Sequence, residues 1–144
     1  MEVSPRRLVE RFYQEVWNKA DEAVAGEILH ADFRFRASLG VERIGLAGFL
    51  DYMRSIHTAL ADYTCIIEDL IATERRAAAR LLFCGVHRSR FFGVAPTHRE
   101  ITWKGAAFVT TNRSRITELW VLGDVDAIKR QLGAIPETAF SEQL

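Results

Sequence analysis

The sequence predicts an α+β domain, with helices first and an antiparallel sheet after them. Apolar residues recur at helical spacing up to about residue 60. After Ala61 the pattern becomes alternating or continuously apolar for some sixty residues. Polar turn residues at 74–75 and 112–114 divide that second stretch into strands.

The first helix carries Leu8, Val9, Phe12, Tyr13, Val16 and Trp17 on one face. Ser4 can accept from an early helical amide, and Pro5 removes an amide that would be unpaired in any case. Asp21 is placed to cap a second helix bearing Val24, Ile28 and Leu29. A third runs from about Leu46 to Leu60, with Phe49, Tyr52, Met53, Ile56 and His57 on its stripe. Between the last two, Phe33, Arg34, Phe35 and Arg36 alternate as in a short strand. Strands are expected near 62–73, 76–90, 99–111 and 114–123, with a longer connection through Gly93 and Pro96. Asp126 to Leu132 reads as a short helix stopped at Gly133. Residues 1–133 form the single domain and 134–144 a peripheral tail.

The chain has 144 residues, enough for one core and one domain. It is 49% hydrophobic and 26% charged with zero formal net charge, the composition of an ordinary globular protein and not of a nucleic-acid-binding surface. Arginine pairs at 75 and 76, 88 and 90, and 113 and 115 are dispersed among acids. No apolar run reaches membrane-spanning length, and Met1 to Arg7 lacks the apolar stretch of a secretory signal, so a cytoplasmic location is expected. Cys65 and Cys84 are expected to be reduced, small apolar residues. Symmetric pairing about Glu74 and Arg75 would set them opposite one another.

Gly85-Val86-His87, followed by Phe92-Gly93-Val94-Ala95-Pro96-Thr97, resembles a pattern of the SnoaL-like polyketide cyclases. Trp120-Val121-Leu122-Gly123-Asp124 with Gln131-Leu132-Gly133 resembles the same family, as do Phe12-Tyr13 and His30-Ala31-Asp32-Phe33. The resemblance implies a cone-shaped, curved antiparallel sheet wrapped over three N-terminal helices and enclosing one apolar pocket. It implies a cofactor-free aldol ring closure of a small apolar dicarbonyl ester, with Asp124 as acid and base and His87 orienting a carbonyl or bonding to the acid. A water-poor pocket suits such a carboxylate by raising its pKa towards working pH. Trp120 and Leu122 share strand parity with Asp124 and are expected beside the ligand if that face looks inward. Trp103 with room beside it at Gly105, together with Phe83, Phe35 and Tyr52, is expected to complete the walls.

Plainer roles stand beside these. Asp124 precedes a helix and can be its cap, with Asp126 a competing cap. His87 can be a satisfied strand histidine, and the tryptophans and Phe83 can be core residues. His30, His57 and His98 lack metal-ligand spacing, and no glycine-rich phosphate loop is present, so neither metal nor nucleotide cofactor is expected. His98 and Ser89-Arg90 depart from the family pattern near the expected pocket mouth and leave open an acidic ligand or mere solvent exposure. Two classes of function remain: a cyclase or proton-shuttling isomerase, and a module that binds a small apolar ligand or dimerises without catalysis. A hydrolase would call for a second acid; Glu118 shares parity with Asp124 but is expected to lie well away. An outer sheet face bearing Ile66, Leu82, Phe108, Leu119 and Val121 predicts a homodimer.

Overall fold

The structure, a computed structural model, describes residues 2–38 and 42–133. The expected tail at 134–144 lies outside the described residues. Helix α1 (Pro5–Arg11) runs into a π-helical turn (Phe12–Trp17), and α2 (Glu22–Ile28) follows. Then come strands β1 (Leu29–Arg36) and β2 (Glu42–Ile44), helix α3 (Gly45–Ala59), strands β3 (Leu60–Ala72), β4 (Arg76–His87), β5 (Glu100–Thr111) and β6 (Ile116–Gly123), and helix α4 (Val125–Leu132). One curved sheet has the order β2-β1-β6-β5-β4-β3. Neighbours run antiparallel except β1 beside β6, which are parallel.

The caps follow the sequence. Ser4 Oγ accepts from the Arg7 amide at 3.1 Å, and Asp21 Oδ1 accepts from the Val24 amide at 3.0 Å. Gly133 closes α4 with φ 79°. The π turn was not legible: the Asn18 amide reaches back five residues to the Tyr13 carbonyl at 3.0 Å. The wider turn brings Phe12, Tyr13, Val16 and Trp17 all into the core.

Hairpin pairing begins symmetrically, Ala72 opposite Ala77 and Asp69 opposite Arg80. One residue, Glu68, is then extra, and Ile67 faces Leu81. Cys65 therefore pairs with Phe83, and Cys84 with Thr64, which corrects the expected Cys65–Cys84 register. Both thiols are free, Cys65 buried under the sheet and Cys84 on the other face. A second slip between Ala61 and Thr64 contains Asp62, at φ 54°.

Strand β3 is a sheet edge, so its outward backbone groups need other partners. Asn18 provides them at Cys65: its Nδ2 donates to the Cys65 carbonyl at 3.0 Å and its Oδ1 accepts from the Cys65 amide at 2.7 Å. Arg6 donates to the Leu70 carbonyl at 2.9 Å. At the far end of β5, beyond the last residue of β6, the Gln131 side-chain amide pairs with both the amide and the carbonyl of Thr102, at 3.0 and 2.7 Å. The glutamine of the Gln131-Leu132-Gly133 motif thus substitutes for a missing strand neighbour and docks α4.

The core lies between the helices and the inner sheet face. That face carries Ala77, Ala79, Leu81 and Phe83 from β4, Ile101, Trp103, Ala107 and Val109 from β5, and Leu119 and Val121 from β6. Leu119 and Val121 are 1% and 6% exposed, so they do not belong to the outer apolar face where the sequence placed them. Among the described residues no helix is long and apolar enough to cross a membrane. Asn18→Ala should destabilise the fold by about 2 kcal/mol, because it strands both Cys65 backbone groups; equilibrium urea denaturation measures this.

Candidate functional site

A cavity opens between the helical layer and the inner sheet face, and every layer contributes to it. The π turn supplies Tyr13 and Trp17, and α3 supplies Tyr52 and Ile56. Strand β1 and the residues just after it give Phe35 and Ser38, while β3, β4, β5 and β6 each give one residue: Tyr63, Phe83, Trp103 and Val121. Seven of these ten are aromatic and none is charged. The free space is small, about 40 Å³, so a ligand much larger than water enters by turning lining side chains aside.

The rings brace one another. Phe83 stacks on Trp103 at 5.1 Å and 18°, Trp17 packs on Tyr63 at 5.2 Å, and Phe35 on Tyr52 at 5.3 Å. A Cβ on Gly105 would stand 2.8 Å from Phe83, so the space expected beside Trp103 is already filled by that ring. A Cβ on Gly123 would stand 2.6 Å from Ser38 Oγ and 3.4 Å from Trp103 Nε1. Gly123 thus lets the end of β6 close on the cavity wall, and Asp124 is the next residue along.

Of the residues expected as walls, Trp103, Phe83, Phe35 and Tyr52 line the cavity. Trp120 and Leu122 are corrected. They are 38% and 52% exposed on the outer face, where Trp120 packs on Phe108 at 5.9 Å and lies under the Arg36 guanidinium at 4.9 Å. Glu118, also exposed, shares that stripe, and a charged residue of the same parity was the available signal that it faces water. Tyr13, Trp17 and Tyr63 were missed as wall residues. The helical pair reads as ordinary core, and the inward aim of Tyr63 depends on the bulge at Glu68.

Asp124 is solvent-exposed and caps α4, its Oδ1 accepting from the Ala127 amide at 3.0 Å. The capping role is therefore real, and the carboxylate is no part of the cavity lining. Oδ2 has no partner among the described residues. Asp126 instead pairs with Arg130 at 3.0 Å. His87 is wholly buried at the end of β4 but does not line the cavity either. Its Nδ1 accepts from the Thr97 amide at 3.1 Å and lies 2.9 Å from Thr97 Oγ1, so the ring pins the β4–β5 connection. This corrects its expected contact with Asp124 or a ligand. Nδ1 is the accepting nitrogen, which puts the proton on Nε2, which has no partner among the described residues. Arg90 donates to the Gly93 carbonyl at 2.7 Å, and His98 is exposed at φ 58°; both face solvent. Among the described residues no three His, Cys, Asp or Glu side chains gather as metal ligands.

A curved sheet folded over helices around one aromatic cavity is the nuclear-transport-factor-2-like cone. Within that class the chain belongs to the SnoaL-like polyketide cyclase family, whose model matches residues 7–132. Solved structures agree on the fold. A candidate SnoaL-like polyketide cyclase from Jannaschia sp. CCS1 superimposes with a TM-score of 0.84 at 16% identity, covering 94% of this chain and 95% of that one. IdmH of Streptomyces antibioticus, a candidate polyketide cyclase, gives 0.79 at 23% identity, covering 90% and 98%. AclR of Streptomyces galilaeus, a candidate hydroxylase, gives 0.79 at 21% identity, covering 92% and 97%. No curated protein matches the chain. At these identities the likeness concerns the scaffold, which supports more than one chemistry.

All three tyrosines of the chain line the cavity, and burial pushes the pKa of each upward, that of Tyr52 to about 12 against an opposing pull from Arg43. The unfolded chain ionises its tyrosines near pH 10, so their burial stabilises the fold fully below that pH and the contribution is lost as pH rises through the folded values. In an alkaline titration tyrosinate absorbance should therefore stay absent past about pH 10 and then appear with loss of the folded circular dichroism signal. A phenol titrating near pH 10 in the folded protein would contradict the enclosed cavity.

Proposed function

We propose that this SnoaL-like protein is a cofactor-free cyclase that closes a ring in a small apolar dicarbonyl compound of polyketide type. The observation carrying this is the uncharged aromatic cavity, and Asp124 is the residue after Gly123, whose backbone packs against the cavity residues Ser38 and Trp103. A neutral lining favours an apolar body with carbonyl groups, because a charged group would be desolvated there without a counter-ion. The carbon between two carbonyls is acidic enough for a carboxylate to deprotonate. The enolate carbon then attacks a third carbonyl carbon further along the same molecule, one carbon–carbon bond forms, and the alkoxide takes the proton back from the carboxyl group. Atoms balance without a cofactor. The cap fixes one oxygen of Asp124 and leaves the other available for this transfer.

Binding without conversion is the second reading, and the exposure of Asp124 outside the cavity lining favours it. Asp124→Asn separates the two, because asparagine caps a helix about as well as aspartate. With a 1,3-dicarbonyl ester that carries a further ketone along its chain as substrate, the variant should keep its melting temperature and ligand affinity while cyclisation falls by about 100-fold or more. A wild-type protein that binds the ester and returns it unchanged would establish the binding module instead.

The protein is further proposed to act in the cytoplasm as a homodimer, with the outer sheet face as the contact. Two free thiols fit a reducing compartment. Ile66, Phe108 and Leu122 are each about half exposed, at 53%, 49% and 52%, and Ile71 and Trp120 extend the patch. Sedimentation equilibrium at micromolar concentration should give a dimer for the wild type and a monomer for Phe108→Glu; a wild-type monomer would overturn the assignment.

A further inference from the structure

The cavity has a polar corner at its β6 end. Strand β6 alternates, with Leu119 and Val121 buried on the inner face, so Gly123 also looks inward. A Cβ there would stand 2.6 Å from Ser38 Oγ and 3.4 Å from Trp103 Nε1, so these two polar atoms converge on one spot that the glycine keeps clear of a side chain. Ser38 and Trp103 both line the cavity. Neither atom has a hydrogen-bond partner among the described residues, and neither is one of the buried orphan atoms, which are Tyr13 Oη, Arg43 Nε, His87 Nε2 and Arg113 Nε. Both therefore keep surface open.

Alanine and phenylalanine would fill the same wall without a polar group to satisfy, so packing alone does not account for the hydroxyl and the N–H. Water can serve both atoms while the cavity is unfilled, and a ligand that displaces it must replace those bonds or bind weakly. The chemistry of the pair narrows what can replace them. The indole N–H only donates, whereas the serine hydroxyl donates or accepts. A ligand carbonyl oxygen accepts from both. A ligand hydroxyl accepts from the indole and donates to Ser38 Oγ. A hydrocarbon satisfies neither atom, and a carboxylate would be held without a counter-charge, because no lining residue is charged.

We infer that Ser38 Oγ and Trp103 Nε1 form a two-point seat for one neutral ligand oxygen, carbonyl or hydroxyl, at the β6 end of the cavity. The inference rests on the reading of the cavity as a small-molecule site and deepens it. In ring closure the attacked carbonyl carbon gains a carbon–carbon bond and its oxygen gains a proton, becoming a hydroxyl. Ser38 need only reverse its role for the seat to hold that oxygen before and after the step. Ser38 and Trp103 are thus positioning residues, which fix the oxygen-bearing end of the ligand at the strand that leads on to Asp124.

The test compares acetophenone, 1-phenylethanol and ethylbenzene, which carry a carbonyl, a hydroxyl and neither on a similar frame. Calorimetry on the wild type should show the ketone and the alcohol each bound about tenfold more tightly than the hydrocarbon, equivalent to about 1.4 kcal/mol. Ser38→Ala should weaken the alcohol more than the ketone, since the alcohol loses its acceptor and the ketone keeps the indole donor. Ser38→Ala combined with Trp103→Phe should bring both ratios to about one, and Tyr52→Phe and Tyr63→Phe should keep them. A wild type without preference, or a preference that survives the double variant, overturns the seat and leaves the cavity as a ligand site. Failure of all three probes to bind overturns the small-molecule reading and this inference with it. Nitrogen–proton NMR on the wild type decides the matter even if a variant does not fold. Of the three tryptophan indole signals, assigned by triple-resonance experiments, that of Trp103 should move downfield with acetophenone and stay in place with ethylbenzene. A Trp103 signal that responds alike to both probes overturns the inference.

Discussion

Two single-residue slips in strand β3 decide what the rest of the structure can be. Near the hairpin turn, Leu70 is the residue that leans on the core. The extra residue at Glu68 exchanges the faces, so that Ile67, Cys65 and Tyr63 point inward, and the slip at Asp62 exchanges them again to bring Leu60 under Gly85. Each slip adds twist, which a sheet needs to curl around a helical layer. With an unbroken ladder, Tyr63 would look outward, one wall of the cavity would be missing, and Asn18 would have no Cys65 backbone groups to clamp.

The cavity follows from that curvature and from where rings were placed on it. Its lining comes from two positions in the π turn, two in α3, one on each of five strands and Ser38 just after β1, so no single element defines it. This makes the interior a consequence of tertiary geometry. It also explains why the polar side chains among its lining residues are hydroxyls and indoles: these can be buried at modest cost, whereas an ionised group could not. Asp124 is excluded from the interior by the same logic and sits, exposed, where β6 gives way to α4.

Much of this architecture was legible in the residues. Ser4, Asp21 and Gly133 marked helix ends through local chemistry that needs no partner far away, and the hairpin turns at Glu74 and Asn112 likewise declared themselves. What local pattern could not convey was parity after an irregularity. The β3–β4 register was misread because a bulge leaves no mark in composition. On β6, where both faces are apolar, Trp120 and Leu122 were set on the wrong side although Glu118 on the same stripe pointed to solvent. His87 lies on the inner face of β4, but its engagement by Thr97 depends on the path of the long β4–β5 connection, which local pattern does not convey. The π turn was hidden for a related reason: Tyr13 and Trp17 satisfy an α-helical pattern equally well.

The clamp at Asn18 has a further consequence. A sheet with open margins can grow by adding strands from other molecules without limit, as fibrils do. Here one margin is held shut by Asn18 and Arg6, and the other ends in β2, a strand of only three residues. Lateral growth is thereby discouraged at both ends. Association through the broad face, by contrast, can close on itself by a two-fold axis and stop at a pair, so the arrangement that shapes the interior also limits how copies of the chain can accumulate.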